Sequence, residues 1–328
     1  TSSLVGSEMC IRDRIDIVSL GEILIDFTPN GTNEQGIALF ARNPGGAPAN
    51  VLAMNSKLGG SSAFIGKVGN DAFGSYLKDT LSNHNIDITG MATDSNVPTT
   101  LAFVQLDSKG DRSFSFYRNP GADMMLNADE VKKELIDECK IFHFGSLSLT
   151  DEPCRKATYD AVNYAKKLGK IISFDPNYRS LLWSDREKAV NEISRAITMA
   201  DILKVSEEEM YLVTGETNLE IGSKKLLNMG ASLVLVSLGE KGACYRNKNH
   251  FCVFPAYKVD AVDTTGAGDA FVGAMLWQLK NYKPDEIADM VLDDKILFAN
   301  AAGGLTATRI GAIPALPTLD EIKICQKG

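Results

Sequence analysis

Between residues 15 and 27 the chain reads IDIVSLGEILIDF, two apolar runs parted by Gly21, which is the pattern of two buried strands around a turn. Helical spacing takes over in PANVLAMNSKLG (48–59), where Val51, Leu52, Met54, Asn55 and Leu58 share a face that ends at Gly59. SAFIGKVGND then reads as a strand and turn, and AFGSYLKDTLSNHN as a helix. The texture changes at TTLAFVQLDSKGDRSFSFYRN (99–119), which alternates with period two around Ser108–Asp111 and so predicts a hairpin.

From residue 130 onward strand and helix patterns alternate. CKIFHFGSLSL, KIISFDPN, DILKVS and SLVLVSLG read as strands, with helices such as Glu152–Leu168 and Glu187–Ala200 between them. That alternation predicts βαβ units, hence an α/β fold whose mainly parallel sheet is covered on both faces. Ligands in such sheets bind beyond the C-terminal strand ends, where the glycine and aspartate clusters of this chain fall. Two stretches, about 26–43 and 97–119, lack intervening helices and read as a small β lid. With no internal repeat or low-complexity linker, one α/β domain with a lid is expected over about residues 15–320.

Composition narrows the chemistry. Of the 328 residues 44% are hydrophobic, enough for a substantial core, and the net charge of −8 comes with no Lys/Arg block, which argues against nucleic acid. No apolar run is long enough for a membrane helix. The six cysteines are scattered without metal-ligand spacing, as expected of reduced thiols in a cytoplasmic protein, and three histidines make a His-based metal site or triad improbable. His143 falls in an apolar strand, as a buried, satisfied side chain would. Lys67 reads as a surface residue, and Trp183 and Trp277 as core or helix-face residues. The opening TSSLVGSEMCIRDR lacks the apolar segment of a signal peptide. It resembles translated adapter read-through, so residues 1–14 are expected to be a non-native or disordered lead.

The most informative stretch is AVDTTGAGDAF (261–271), a strand-to-helix turn. It is not GxxxxGK[ST], and Phe271 stands where GxGxxG needs its last glycine, so neither familiar nucleotide loop applies. Gly266, Ala267 and Gly268 carry little or no side chain, so their amides can approach a ligand at a helix N-terminus. That suits charge developing on a transferring phosphoryl group, and Asp269 is placed to accept a proton from an attacking hydroxyl. An ordinary acidic helix start fits the same residues.

With these residues in view, the chain resembles the PfkB (ribokinase-like) carbohydrate kinases over about Ile15 to Pro317. DTTGAGDAF is similar to the family's C-terminal signature, and PGGAPANVLA with IGKVGNDAFG to its N-terminal one. LIDF, FYRNPGADMML, FHFGSLSL and FDPNYRSLLW look most like the fructokinases. The resemblance implies a three-layer α/β/α sandwich with a β lid, and ATP-dependent phosphorylation of a sugar, D-fructose to fructose 6-phosphate. It implies Asp269 as general base and the Gly266–Gly268 amides as anion hole. Asp26, Gly46 and Asn50 would hold sugar hydroxyls, with Arg118 and Arg179 on sugar or phosphates. Ser237, Gly239, Gly242 and Asn300 would line the nucleotide site, with Gly268 shared.

Where the family usually shows NxxE, this chain has SEEE, with Ser206 replacing Asn; Glu209 keeps the acidic position and would act on Mg2+ through water. Asp263 and Thr265, with nearby carbonyls, would surround K+. Phe114, Phe116 and Tyr117 would cover the sugar or form lid core. A homodimer through the lid is a further expectation. A 2-keto-3-deoxygluconate kinase, a nucleoside kinase and a catalytically inactive kinase-like scaffold remain as alternatives.

Overall fold

The computed structural model describes residues 15–106 and 112–327; the opening fourteen residues and the hairpin tip lie outside them. The two apolar runs at the start form β1 (Ile15–Leu20) and β2 (Leu24–Thr32), which part at Gly21 into different sheets. β3 (Ala38–Gly45) returns antiparallel to β2 and passes through Gly46 into α1 (Ala47–Lys57). Gly46 has φ 115°, and a Cβ there would lie 2.5 Å from the Glu22 carbonyl oxygen, so only glycine fits this corner.

β4 (Ser62–Gly69), α2 (Ala72–Asn83) and β5 (Ile86–Asp94) follow. β6 (Leu101–Leu106) and β7 (Arg112–Tyr117) then pair antiparallel, and β6 lies parallel to β2. The second sheet is therefore β3-β2-β6-β7, built from the two stretches expected as a lid.

The alternating half of the chain gives α3 (Lys133–Glu138), β8 (Cys139–Gly145), α4 (Cys154–Lys167), β9 (Ile171–Asp175), α5 (Arg186–Ile197) and β10 (Ile202–Ser206). It continues with α6 (Glu207–Thr214), α7 (Leu219–Asn228), β11 (Leu233–Ser237), β12 (Ala243–Arg246), β13 (Phe251–Phe254) and α8 (Ala267–Leu279). Last come α9 (Pro284–Asp289), α10 (Asp293–Ala307) and α11 (Leu319–Cys325). The large sheet runs β13-β12-β11-β10-β9-β8-β1-β4-β5. It is parallel from β11 to β5, while β12 and β13 add an antiparallel edge.

Side chains alternate between two cores. Ile17, Ile141, Ile171, Ile202 and Leu235 face α1, α8 and α10; Val18, Phe142, Ile172, Leu203 and Val234 face α4, α5 and α7. This is the three-layer sandwich, and the apolar strand runs follow from burial on both faces. His143 is buried and paired with Ser173 Oγ at 3.0 Å; burial holds its imidazole down to about 3, so it stays neutral. Lys67 departs from expectation. It is buried, with its ammonium 3.1 Å from Asp94 and 2.9 Å from Glu130, because β4 is interior and a buried lysine needs both partners.

The contact between α1 and α8 matters most for the site. Gly273 faces α1 so closely that a Cβ would lie 2.6 Å from Met54 Cβ and 2.7 Å from the Val51 carbonyl oxygen. Gly273→Ala should therefore overpack this seam, cost roughly 1–3 kcal/mol and lower Tm measurably. Thermal unfolding of the variant checks it, and an unchanged Tm would show that the helices separate freely.

Candidate active site

Beyond the C-terminal ends of the parallel strands, the lid and the large sheet enclose a cavity of about 760 Å³. Asp26 reaches it from β2, Gly46 and Asn50 from the start of α1, and Arg179 from the loop after β9. Glu209 of α6 and the turn Asp263, Thr265, Gly266, Gly268 and Asp269 complete the set that the sequence singled out. Phe116 also borders the cavity, whereas Tyr117 is exposed and packs edge-on against Phe103.

Asp269 is buried in the first turn of α8, and both its oxygens accept amide hydrogens. Asn50 Nδ2 donates to Oδ2 at 2.8 Å and Asn177 Nδ2 to Oδ1 at 3.1 Å. Burial pushes the Asp269 carboxyl up; the Asn50 amide, the charges of Lys204 and Arg179, and the Asn177 amide pull it back. Such a group has a fixed orientation and spare lone pairs, as a proton acceptor requires.

The turn before it is strained in the way glycine tolerates. Gly266 caps α8 with φ 76°, and a Cβ there would lie 2.6 Å from Ala312 Cβ. Of the three amides expected to face an anion, that of Ala267 is already used: it donates to the Thr264 carbonyl at 3.2 Å and closes the turn. Gly266 and Gly268 border the cavity, and Ala267 does not. A cation compensates. Lys204, on β10, borders the cavity, and its Nζ would be 3.4 Å from a Cβ on Gly268. The same ammonium binds the buried Asp175 carboxylate at 3.0 Å. First-turn amides and a buried ammonium at one place are a donor set for a phosphoryl group.

The rest of the cavity is acidic. Burial raises the Asp26 carboxyl to about 6, and Asp263 and Asp269 add to that while Arg179 opposes it. Glu22 is pushed by burial to about 7; one of its oxygens accepts from the Ala47 amide at 3.1 Å. Burial also carries Asp175 to about 7 in spite of Lys204. Both Glu209 oxygens accept backbone amides, from Tyr178 and from Ser206, each at 2.7 Å. A carboxylate so engaged fits contact with a metal through water better than direct ligation. Ser206 is here the N-cap of α6 and forms a capping box with Glu209, a role serine fills well. Asp263 accepts from Thr265 N and Oγ1 and from Gly311 N, tying the turn to the 310–312 loop beside the anion hole. Among the described residues no three His, Cys, Asp or Glu side chains cluster as a metal cage.

Several expected residues lie elsewhere. Arg118 is not brought to this cavity: its guanidinium is buried against Asp123 at 2.7 Å and donates to Thr150 Oγ1 and the Leu147 carbonyl. A buried guanidinium must satisfy its donors, and Asp123, in the short turn after Gly121, does so. Ser237, Gly239, Gly242 and Asn300 do not line the cavity either. Ser237 pairs in register with Ser206 at the end of the neighbouring strand, and Gly239 and Gly242 follow it in the turn after β11. Asn300 donates to the Pro255 carbonyl at 3.2 Å and pins the segment after β13. Conversely, sequence reasoning passed over Asn177, Lys204, Asp175 and Glu22. A lysine in the apolar run DILKVS, and the Asp-Pro-Asn before Arg179, were the available signals.

Comparison with known proteins is consistent with this geometry. The model of the pfkB family of carbohydrate kinases matches residues 14–319. Fructokinase-1 of Zea mays is 46% identical over 310 residues, covering 93% of this chain and 96% of that protein. A crystal structure of fructokinase with bound ATP from Xylella fastidiosa superposes with a TM-score of 0.88 at 32% identity, covering 95% of this chain and 98% of that one. A double mutant of Vibrio cholerae O395 fructokinase, bound to fructose, ADP and potassium ion, gives 0.85 at 33% identity, covering 96% and 99%. The long family match and these full-length likenesses lead to one conclusion: the chain belongs to the pfkB family of carbohydrate kinases.

Proposed function

We propose that the chain is an ATP-dependent fructokinase, a single kinase unit over about residues 15–320 whose lid covers the sugar. The observation that carries this reading is the buried Asp269 carboxylate, held by two asparagine amides beside the Gly266–Gly268 turn and Lys204. The primary hydroxyl of the sugar gives its proton to Asp269 as its oxygen bonds to the γ-phosphorus of ATP. The bond from that phosphorus to ADP breaks, and its electrons leave on ADP. Lys204 and the Gly266 and Gly268 amides meet the charge on the moving phosphoryl group. Asp26, Asn50, Gly46 and Arg179 supply the short polar contacts that a buried sugar needs. Excluding water under the lid favours transfer to sugar over hydrolysis. Ser237, Gly239, Gly242 and Asn300 are proposed for the nucleotide side.

Mg2+ is the proposed metal; when bound it would neutralise phosphate charge, and Glu209 would orient its water ligands. The fructokinases of the comparison, with ATP or with fructose and ADP, support the choice of substrates. Asp263 and Thr265 are proposed beside K+, supported by the acidity of the cleft and by the potassium ion bound to the Vibrio relative. Exposed Ile37, Leu39, Phe40 and Tyr117 on the lid support a homodimer through that sheet. A cytoplasmic setting is part of the proposal, and a disulfide in the isolated protein would count against it.

ADP release should be fastest with fructose in a panel with ribose, glucose, 2-keto-3-deoxygluconate and adenosine. In Asp269→Asn it should fall roughly 10²–10⁴-fold with ATP binding retained. Preference for another acceptor overturns the substrate, and full activity of the variant overturns the mechanism. Replacing K+ by a large organic cation should lower turnover, whereas equal rates in all cations remove the potassium proposal. Leu39→Asp with Phe40→Asp should shift the mass in solution from dimer to monomer; a monomeric parent protein contradicts the dimer.

A further inference from the structure

Asn177 borders the cavity but was given no role of its own in the transfer step. It lies in the Asp-Pro-Asn turn at the C-terminal end of β9, outside any helix or strand, with φ 43°. That left-handed conformation is one that asparagine accepts more readily than other side-chain-bearing residues. Its amide nitrogen donates to Asp175 Oδ1 at 3.2 Å, and its side-chain amide donates to Asp269 Oδ1 at 3.1 Å. Asp175 in turn is held by Lys204. The turn therefore runs from the ammonium at the anion hole, through Asp175 and Asn177, to the carboxylate that takes the proton.

We infer that Asn177 is a positioning residue for the general base, fixing the direction of the Asp269 carboxylate and keeping it ionised in a cleft crowded with acids. The inference rests on the proposed role of Asp269. The charge of Asp269 raises the nearby carboxyls of Asp26 on β2 and Asp175 on β9, while burial favours protonation of Asp269 itself and Lys204 on β10 and Arg179 in the loop after β9 oppose it. Asn50 binds one oxygen from α1. Without Asn177 the other oxygen would lose its donor and the carboxyl would be held by Asn50 at one oxygen alone. A hydrogen bond that stabilises only the charged form lowers the pKa of an acid, so its loss raises it. The fraction of enzyme with an ionised base at a given pH then falls.

Two substitutions separate this from a purely structural role. Asn177→Gly keeps the left-handed backbone and deletes the amide. Asn177→Asp keeps the shape, removes the donor and adds a like charge. Both should lower kcat by roughly 10–100-fold, the worth of a hydrogen bond to a charged group, with the Michaelis constant for ATP little changed. Both should move the acid limb of the kcat/KM profile to higher pH, Asn177→Asp further than Asn177→Gly. Should Asn177→Gly not fold, the near-isosteric Asn177→Asp carries the same test. An acid limb unmoved in the variants overturns the inference, whatever happens to kcat. If Asp269→Asn is inactive while the Asn177 profiles stay in place, only the positioning role fails. If Asp269→Asn is active, the reading beneath it fails instead.

Discussion

A carboxylate buried in a cleft that already holds Glu22, Asp26, Glu209 and Asp263 needs specific help to stay charged. That need organises the site around Asp269. Two amides bind its oxygens, and two cations, Lys204 and Arg179, act on it from the strand and loop alongside. The opposing influences leave the carboxyl raised, a state in which it can accept a proton and later release it. The same cations lie where an incoming polyphosphate would meet the acidic wall. In the proposed mechanism one arrangement serves both the base and the phosphoryl group.

Tertiary packing creates this arrangement, because Asn50 and Asp269 are 219 positions apart. They meet because α1 and α8 lie together with Gly273 at the seam, and because Gly46 turns β3 into α1 without a side chain in the way. The parallel sheet supplies the other half. β9 and β10 are adjacent, so Asp175 and Lys204 emerge side by side at the C-terminal edge. The chain leaves the large sheet after β1 at Gly21, and β2 of the second sheet delivers Asp26 to the cleft.

Much of this was legible from the sequence and some of it was not. Apolar runs spaced by amphipathic helices are a direct consequence of burying a sheet on both faces, and they predicted the sandwich. The small second sheet was visible because a period-two stretch without helices cannot be a βαβ unit. Most residues of the cleft were visible too, because short polar and glycine clusters fall at strand ends. Partnerships across the fold were not visible. Arg118 is adjacent to lid segments that promise a ligand contact, yet Asp123 five residues later claims its guanidinium. Lys204 is hidden by its strand, since a lysine in an apolar run does not announce that a carboxylate from the next strand will accompany it inward. The amide of Ala267 is spent on its own turn, a matter of backbone geometry that no side chain reports.

The central claim is that the chain transfers the γ-phosphoryl group of ATP to a primary hydroxyl of fructose. Phosphorus NMR of the protein incubated with ATP, Mg2+, K+ and fructose tests it most directly. The account predicts a sugar phosphate resonance split by two methylene protons, identified as fructose 6-phosphate by comparison with an authentic sample, growing in step with ADP. Inorganic phosphate growing with ADP and no sugar phosphate, or no loss of ATP at all, would contradict it.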